Sequence, residues 1–298
     1  MMKRTLYIFL AALAFQSPLK AQQLYTLEEC RQMALEQNAK MKVAANKTQM
    51  AKQEKREAAT NFFPSITLTG GAMKADDGLI QMPREFVLLQ GMGCKWKKCT
   101  FCDYHEDVSN NPYEVNEPVL RQVTGQYGVL DVINSGSAME LDDKTIELIK
   151  EVVKEKQIHT LWLEAHYMYR KKLTEFAKQF APAKVKFRCG VETFDANLRD
   201  RWKKGIPSSV TPEDIGEYFQ GVCLLLGTEG ETKEHVMSDI EIAKKHFEYF
   251  SVNVFCNNST QVKQDKELAQ WFAHEIYPRI KDEDGIEVLM ENTDLGVG

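Results

Sequence analysis

No stretch of this 298-residue chain is apolar for long enough to cross a bilayer as a helix. The run Leu6–Phe15 has 10 residues, about half of what a membrane-spanning helix needs. A surplus of positive charge is also missing. Lys and Arg number 38 against 43 Asp and Glu, a net −5, so bulk electrostatics provide no face for nucleic acid. The 7 cysteines are odd in number, which excludes the even, spread-out pairs of a small disulfide-stapled secreted domain. What remains is ordinary globular composition, 43% apolar and 27% charged, with length for one large domain or two smaller ones.

What is present is unevenly placed. Residues 1–82 hold 11 Lys and Arg against 7 Asp and Glu, about +4, which leaves about −9 for the rest. Lys3 and Arg4 precede the apolar run Leu6–Phe15, and Ser17, Pro18 and Ala21 follow it. These are the three parts of a secretory signal peptide over residues 1–21. Thr26 caps a following helix, with Glu29 completing a capping box. Leu27, Cys30, Met33, Ala34 and Met41 recur at helical spacing, and Asn61 and Pro64 end the pattern. Ser65–Thr69 then alternates like a strand.

From Pro83 the pattern changes. Apolar strands at Phe86–Gln90, Val129–Ile133, Thr160–Leu163, Val185–Val191, Val222–Leu226, Ser251–Phe255 and Ile286–Met290 alternate with helical segments. About six β-then-α units predict an α/β fold with a parallel sheet, curled into a partial TIM-like (β/α)6 barrel. In such folds the loops at the C-terminal ends of the strands build the site.

The first of those loops reads GMGCKWKKCTFCDYH, which places Cys94, Cys99 and Cys102 at C-x4-C-x2-C spacing. Three thiolates from one short loop can hold three irons of a cubane and leave the fourth open. His105 also completes a Cys3His set for structural zinc, and a loop without metal is the remaining reading. Cys189, Cys223 and Cys256 sit in apolar or strand-like contexts, where buried thiols act as small hydrophobes. Such cysteine usage implies a reducing compartment, in conflict with the export signal.

Three further loops carry polar groups. In NSGSAMELDD, Asp142 is a helix cap. In CGVETFDANLRDRWKKG, Glu192 at a strand end would be costly to bury unpaired; an ion pair to Arg199 or Arg201 is the structural alternative to a ligand-binding role. GTEGET is a glycine turn before a helix starting at Thr232.

The strand–cysteine loop, with Phe101 before the last cysteine, resembles the radical S-adenosylmethionine superfamily over residues 83–298. The common spacing there is C-x3-C-x2-C, so the first interval here is one residue longer. The resemblance implies a [4Fe–4S] cluster on Cys94, Cys99 and Cys102 and S-adenosylmethionine as its partner. It places Phe101 beside the cofactors and Asn134, Ser135, Gly136 and Ser137 at the methionine amino group. Glu192 falls at the ribose hydroxyls, Arg199 at the methionine carboxylate, and Gly227 and Gly230 beside the adenine. It also implies a 5′-deoxyadenosyl radical and an electron donor such as flavodoxin or ferredoxin.

Within the superfamily, GCKWKKCTFCDYH and the ending ENTDLGVG resemble the queuosine lyases, which release queuine from queuosine 5′-phosphate. That implies a small nucleoside or nucleotide substrate, with Tyr104, His105, His166, Tyr167 and Tyr169 as pocket candidates. Another nucleoside, a tRNA base or a peptide is the alternative substrate. Residues 22–82 resemble the start of TolC-type outer-membrane efflux proteins, but the remaining barrel strands are missing. Cluster assembly and S-adenosylmethionine place residues 83–298 in the cytoplasm. The two modules are therefore read as joined near Met82–Pro83 by fusion or assembly.

Overall fold

The computed structural model describes the backbone of residues 65–69 and residues 82–106 and 108–290. All of them fall within the compact unit Ala58–Gly298. The expected signal peptide, the helix from Thr26, Cys30 and the ENTDLGVG ending lie outside the described residues.

The strand–helix alternation from Pro83 builds a curled α/β half-barrel. Its strands are β2 (Arg84–Leu89), β3 (Val129–Asn134), β4 (Thr160–Glu164), β5 (Lys184–Glu192), β6 (Gly221–Leu226), β7 (Tyr249–Val254) and β8 (Ile286–Leu289). They run parallel, each beside its predecessor in sequence. The strand expected at Ser65–Thr69 is present as β1. It pairs antiparallel with β2, Ser65 opposite Leu88 and Thr69 opposite Arg84. One strand from before the expected Met82–Pro83 junction thus extends this sheet.

The helices among the described residues are α1 (Pro112–Leu120), α2 (Asp143–Glu155), α3 (Leu173–Ala177), α4 (Ala196–Arg201), α5 (Pro212–Gly216), α6 (Lys233–His246), α7 (Lys266–Trp271) and α8 (Tyr277–Ile280). Asp142 caps α2 as expected, accepting from Thr145 N at 3.0 Å. Ile146, Ile149, Val152 and Val153 form its buried stripe. Thr232 caps α6 through His235 N at 3.3 Å.

Two of the helical segments are broken. Short 3₁₀ turns, Tyr167–Lys172 and Lys178–Phe180, flank α3. A π-turn at Phe272–Ile276 separates α7 from α8, where Pro278 lacks the N–H that a regular helix uses. Helix α1 has no counterpart in the sequence reading, because part of its buried face is polar. Asn116 lies there and clasps Gln90, accepting from its N–H and donating to its carbonyl at 2.8 Å each.

The two faces of the sheet differ, as period-2 alternation requires. Val87, Leu89, Leu130, Val132, Leu161, Leu163, Val222 and Leu224 are buried in the main apolar core. The inner face instead carries charge. Asp131 accepts Arg84 Nε at 2.8 Å and both Arg188 terminal nitrogens at 3.0 and 2.8 Å. Arg84 also forks onto Glu287 at 2.5 and 2.8 Å, and Tyr249 donates to Glu287 at 2.6 Å. Burial opposes the charge of both arginines, but the neighbouring carboxylates hold their pKa above the ordinary value. Bidentate geometry is what makes burial of such charges tolerable.

Candidate active site at the mouth of the half-barrel

The cysteine loop leaves the C-terminal end of β2 through a turn that only glycine fits. Gly93 has φ +91°, and a Cβ there would come within 2.8 Å of Val108. Trp202 O accepts from Thr100 N at 3.0 Å, Asn258 donates to Phe101 O at 2.7 Å, and Asp103 accepts from Ser259 N at 3.0 Å. The loop is thus held from β5's side and from β7's side. Phe101 meets Trp202 edge-on at 5.6 Å, and Cys99 and Cys102 pack against this apolar cluster.

Burial pushes the Cys99 thiol up to about 11 and Cys102 up to about 12, while the Lys204 ammonium opposes both shifts. Cys94 lies within electrostatic reach of Cys99. Three thiols on one loop, with an apolar wall on one side and a cation on the other, suit a cubane. Its irons lie at separate corners and favour deprotonated sulfur. Among the described residues no three His, Cys, Asp or Glu side chains are grouped as a single metal ion requires.

The loop after β3 lies directly against Cys94: a Cβ on Gly136 would stand 3.3 Å from Cys94 Cα. Asn134 donates to Ser137 O at 3.3 Å, yet its own Oδ1 is buried with no partner. An orphaned acceptor beside the cysteine loop fits the ammonium expected at this position. The sequence reading missed Glu140. Its carboxylate accepts from Ser137 N at 3.0 Å, Lys95 N at 3.2 Å and the Tyr169 hydroxyl at 2.8 Å. The Ser137-x-x-Glu140 capping-box pattern was the available signal.

Glu192 ends β5 just after a bulge, with φ +68°, a conformation a non-glycine side chain adopts at a cost of about 1 kcal/mol or more. The backbone turn aims its carboxylate at Lys204, and Lys204 Nζ donates to Oε1 at 2.7 Å. Neither Arg199 nor Arg201, the alternative partners, pairs with it, because each is engaged elsewhere. Arg199 is buried and donates to Thr193 O and Pro207 O at 3.4 and 3.3 Å, with its Nε unpartnered. Arg201 reaches Gly230 O at 3.5 Å. Burial opposes the Lys204 charge, but Glu192 and Cys99 hold its pKa above the ordinary value.

In the glycine turn, Gly227 and Gly230 have φ +88° and +86°. Glu231 accepts from Gly227 N at 2.6 Å and Thr228 N at 3.2 Å, and Thr228 Oγ1 is buried without a partner. Thr100 and Trp202 of the cysteine-loop region share a surface recess with Glu229 of this turn and with Val262.

The expected pocket residues divide. His166 belongs to the mouth: its N–H donates to Ser137 Oγ at 3.0 Å, and Trp96 stacks on its ring at 5.2 Å. His166 Nδ1 accepts from Met168 N at 3.1 Å, which leaves Nε2 to donate to Lys204 O at 2.8 Å. Tyr104 is 59% exposed, its phenol within electrostatic reach of Glu164 and Glu192. Tyr167 and Tyr169 are buried in the core, and His105 is half-buried.

A parallel half-barrel with a three-cysteine loop at its mouth defines the class of enzyme that radical S-adenosylmethionine chemistry uses. The chain is similar to the solved structure of a queuine lyase from Clostridium spiroforme bound to S-adenosylmethionine and queuine. Identity is 42% over 74% of this chain and 97% of that one, with a TM-score of 0.70. The chain therefore belongs to the family of that lyase, within the radical S-adenosylmethionine superfamily. The cofactors of this superfamily are a [4Fe–4S] cluster and S-adenosylmethionine. A looser likeness, 14% identity and TM-score 0.46 over 96% of this chain and 59% of the other, is to Streptococcus suis SuiB bound to S-adenosylmethionine. No protein-family model and no curated protein matches the chain. Among the described residues no helix is long and apolar enough to cross a membrane.

Proposed function

We propose that this enzyme is a lyase that releases the base queuine from queuosine 5′-phosphate. The observation that carries the reading is the 42% identity to a queuine lyase over 97% of that chain. When bound, the cluster and S-adenosylmethionine supply a hydrogen-abstracting carbon radical, with the electron coming from a carrier such as flavodoxin or ferredoxin. The protein's part is to hold, orient and exclude water.

Cys94, Cys99 and Cys102 would hold three irons. The free Asn134 Oδ1 would accept from the methionine ammonium, with Glu140 holding Ser137 and the cysteine loop in register. Glu192, paired with Lys204, would accept from the ribose hydroxyls. Gly227 and Gly230 would admit the adenine edge without side chains in the way, and Arg199 is the remaining candidate for the methionine carboxylate.

The test is anaerobic reconstitution followed by incubation with S-adenosylmethionine, reductant and queuosine 5′-phosphate. The expected result is a brown protein that yields both 5′-deoxyadenosine and queuine. Alanine at Cys94, Cys99 or Cys102 abolishes the visible iron–thiolate absorption, whereas Cys189→Ala preserves it. Formation of 5′-deoxyadenosine without queuine sinks the lyase reading. A colourless protein with stoichiometric zinc sinks the cluster.

A further inference from the structure

The charged network on the inner face is closed at its base and open at its top. Arg84, Asp131, Arg188 and Glu287 are essentially inaccessible, but the Glu164 side chain at the end of β4 is 22% exposed. Only one of its oxygens is engaged: Oε1 accepts Arg188 Nε at 3.1 Å and the Cys223 thiol at 3.6 Å. Among the described residues Oε2 takes no hydrogen bond. Arg188 thus aims a carboxylate into the mouth and leaves half of it free.

A second unmet polar group stands on the same inner face of the sheet. Cys223 also hydrogen-bonds Ser251 on β7. Asn253 lies two residues further along β7, on the same face and nearer the mouth. Its Oδ1 is buried with no partner among the described residues, which is costly unless a ligand donates to it. Leu88, Ile133 and Leu289, all partly exposed, pack on Phe86 and add apolar surface to that inner face.

A flat ring with N–H donors on one edge matches this combination. Its faces would lie on aliphatic side chains, and its donors would meet a carboxylate oxygen and an amide oxygen. We infer that Glu164 and Asn253 are the specificity-determining pair for the substrate base, reading the N–H edge of a guanine-like heterocycle. This rests on the lyase reading above and adds to it the residues that choose the base. Arg188 is a positioning residue, because it touches Glu164 and not the base.

The test is binding of free queuine to reconstituted holoenzyme, for the wild type and for Glu164→Gln and Asn253→Ala, with S-adenosylmethionine affinity and thermal melting measured alongside. The expected result is at least a tenfold loss of queuine affinity in each variant, with S-adenosylmethionine affinity changed less than twofold. Queuine affinity within twofold of wild type in both variants overturns the inference and leaves the lyase reading standing. Absence of queuine binding by the wild type overturns the lyase reading and this inference with it. If Glu164→Gln misfolds through loss of its contact with Arg188, Asn253→Ala alone decides.

Discussion

Tyr169 donates its hydroxyl proton to Glu140 at 2.8 Å, and so steadies the carboxylate that also holds Lys95 N and Ser137 N. Glu140→Gln replaces one of the two accepting oxygens with a donor. The expected loss is about 2–3 kcal/mol, against about 1 kcal/mol for Tyr169→Phe, which removes a single bond. Urea unfolding of both variants checks the order. Iron incorporation should fall in Glu140→Gln and hold in Tyr169→Phe.

Lys204 and Glu192 form a largely buried pair, each side chain 11% exposed. Lys204→Met strands the carboxylate and should cost about 3 kcal/mol. Combining it with Glu192→Gln should recover at least about 1 kcal/mol, because the stranded charge is then removed. A double-mutant cycle in urea measures this, and strictly additive losses would show that the two groups do not interact. Glu192→Gln alone should weaken S-adenosylmethionine about tenfold in equilibrium dialysis, which corresponds to about 1.4 kcal/mol.

Trp96 lies across Gly205, which has φ +75°. Gly205→Ala incurs the left-handed backbone cost, about 1 kcal/mol, and its methyl overlaps the indole. The overlap disappears if Trp96→Ala is made first. Gly205→Ala should therefore cost at least about 1 kcal/mol more in the wild-type background than in the Trp96→Ala background, by denaturant midpoint.

His166 carries the pH prediction. Burial, aided by the Lys204 cation, pushes its pKa down to about 4; Trp96 and Ser137 are its other neighbours in the mouth. The native state then binds fewer protons than the unfolded state between about pH 6.5 and about 4. Its contribution is fully present above about 6.5 and is lost as pH falls towards 4, at most about 3 kcal/mol. His166→Gln should flatten that part of the stability profile in the cluster-free protein. An unchanged slope would show that another group titrates there.

The half-barrel was legible because its strands are apolar, β-branched runs, and three of the four site loops were marked by glycine, serine or cysteine. What stayed hidden was the pairing of charges. Lys204 sits in an unremarkable WKKG segment, and only the φ of Glu192 after its bulge brings the two together. Asn253 is one polar residue in an alternating strand, with nothing in the sequence to say that its oxygen lacks a partner. Helix α1 escaped notice because Asn116, a polar residue, occupies its buried face.

The inner charged network has a consequence for how this fold can change over time. Asp131, Arg84, Arg188, Glu164 and Glu287 come from five different strands, so altering one strand's inward residue leaves a stranded charge on another. Viable substitutions there must arrive in compensating sets, and strands cannot be exchanged piecemeal with a barrel of apolar interior. The loops at the mouth carry fewer such pairs, Lys204 with Glu192 among them. Divergence in this lineage should therefore concentrate in what the barrel holds, while its wall is inherited whole.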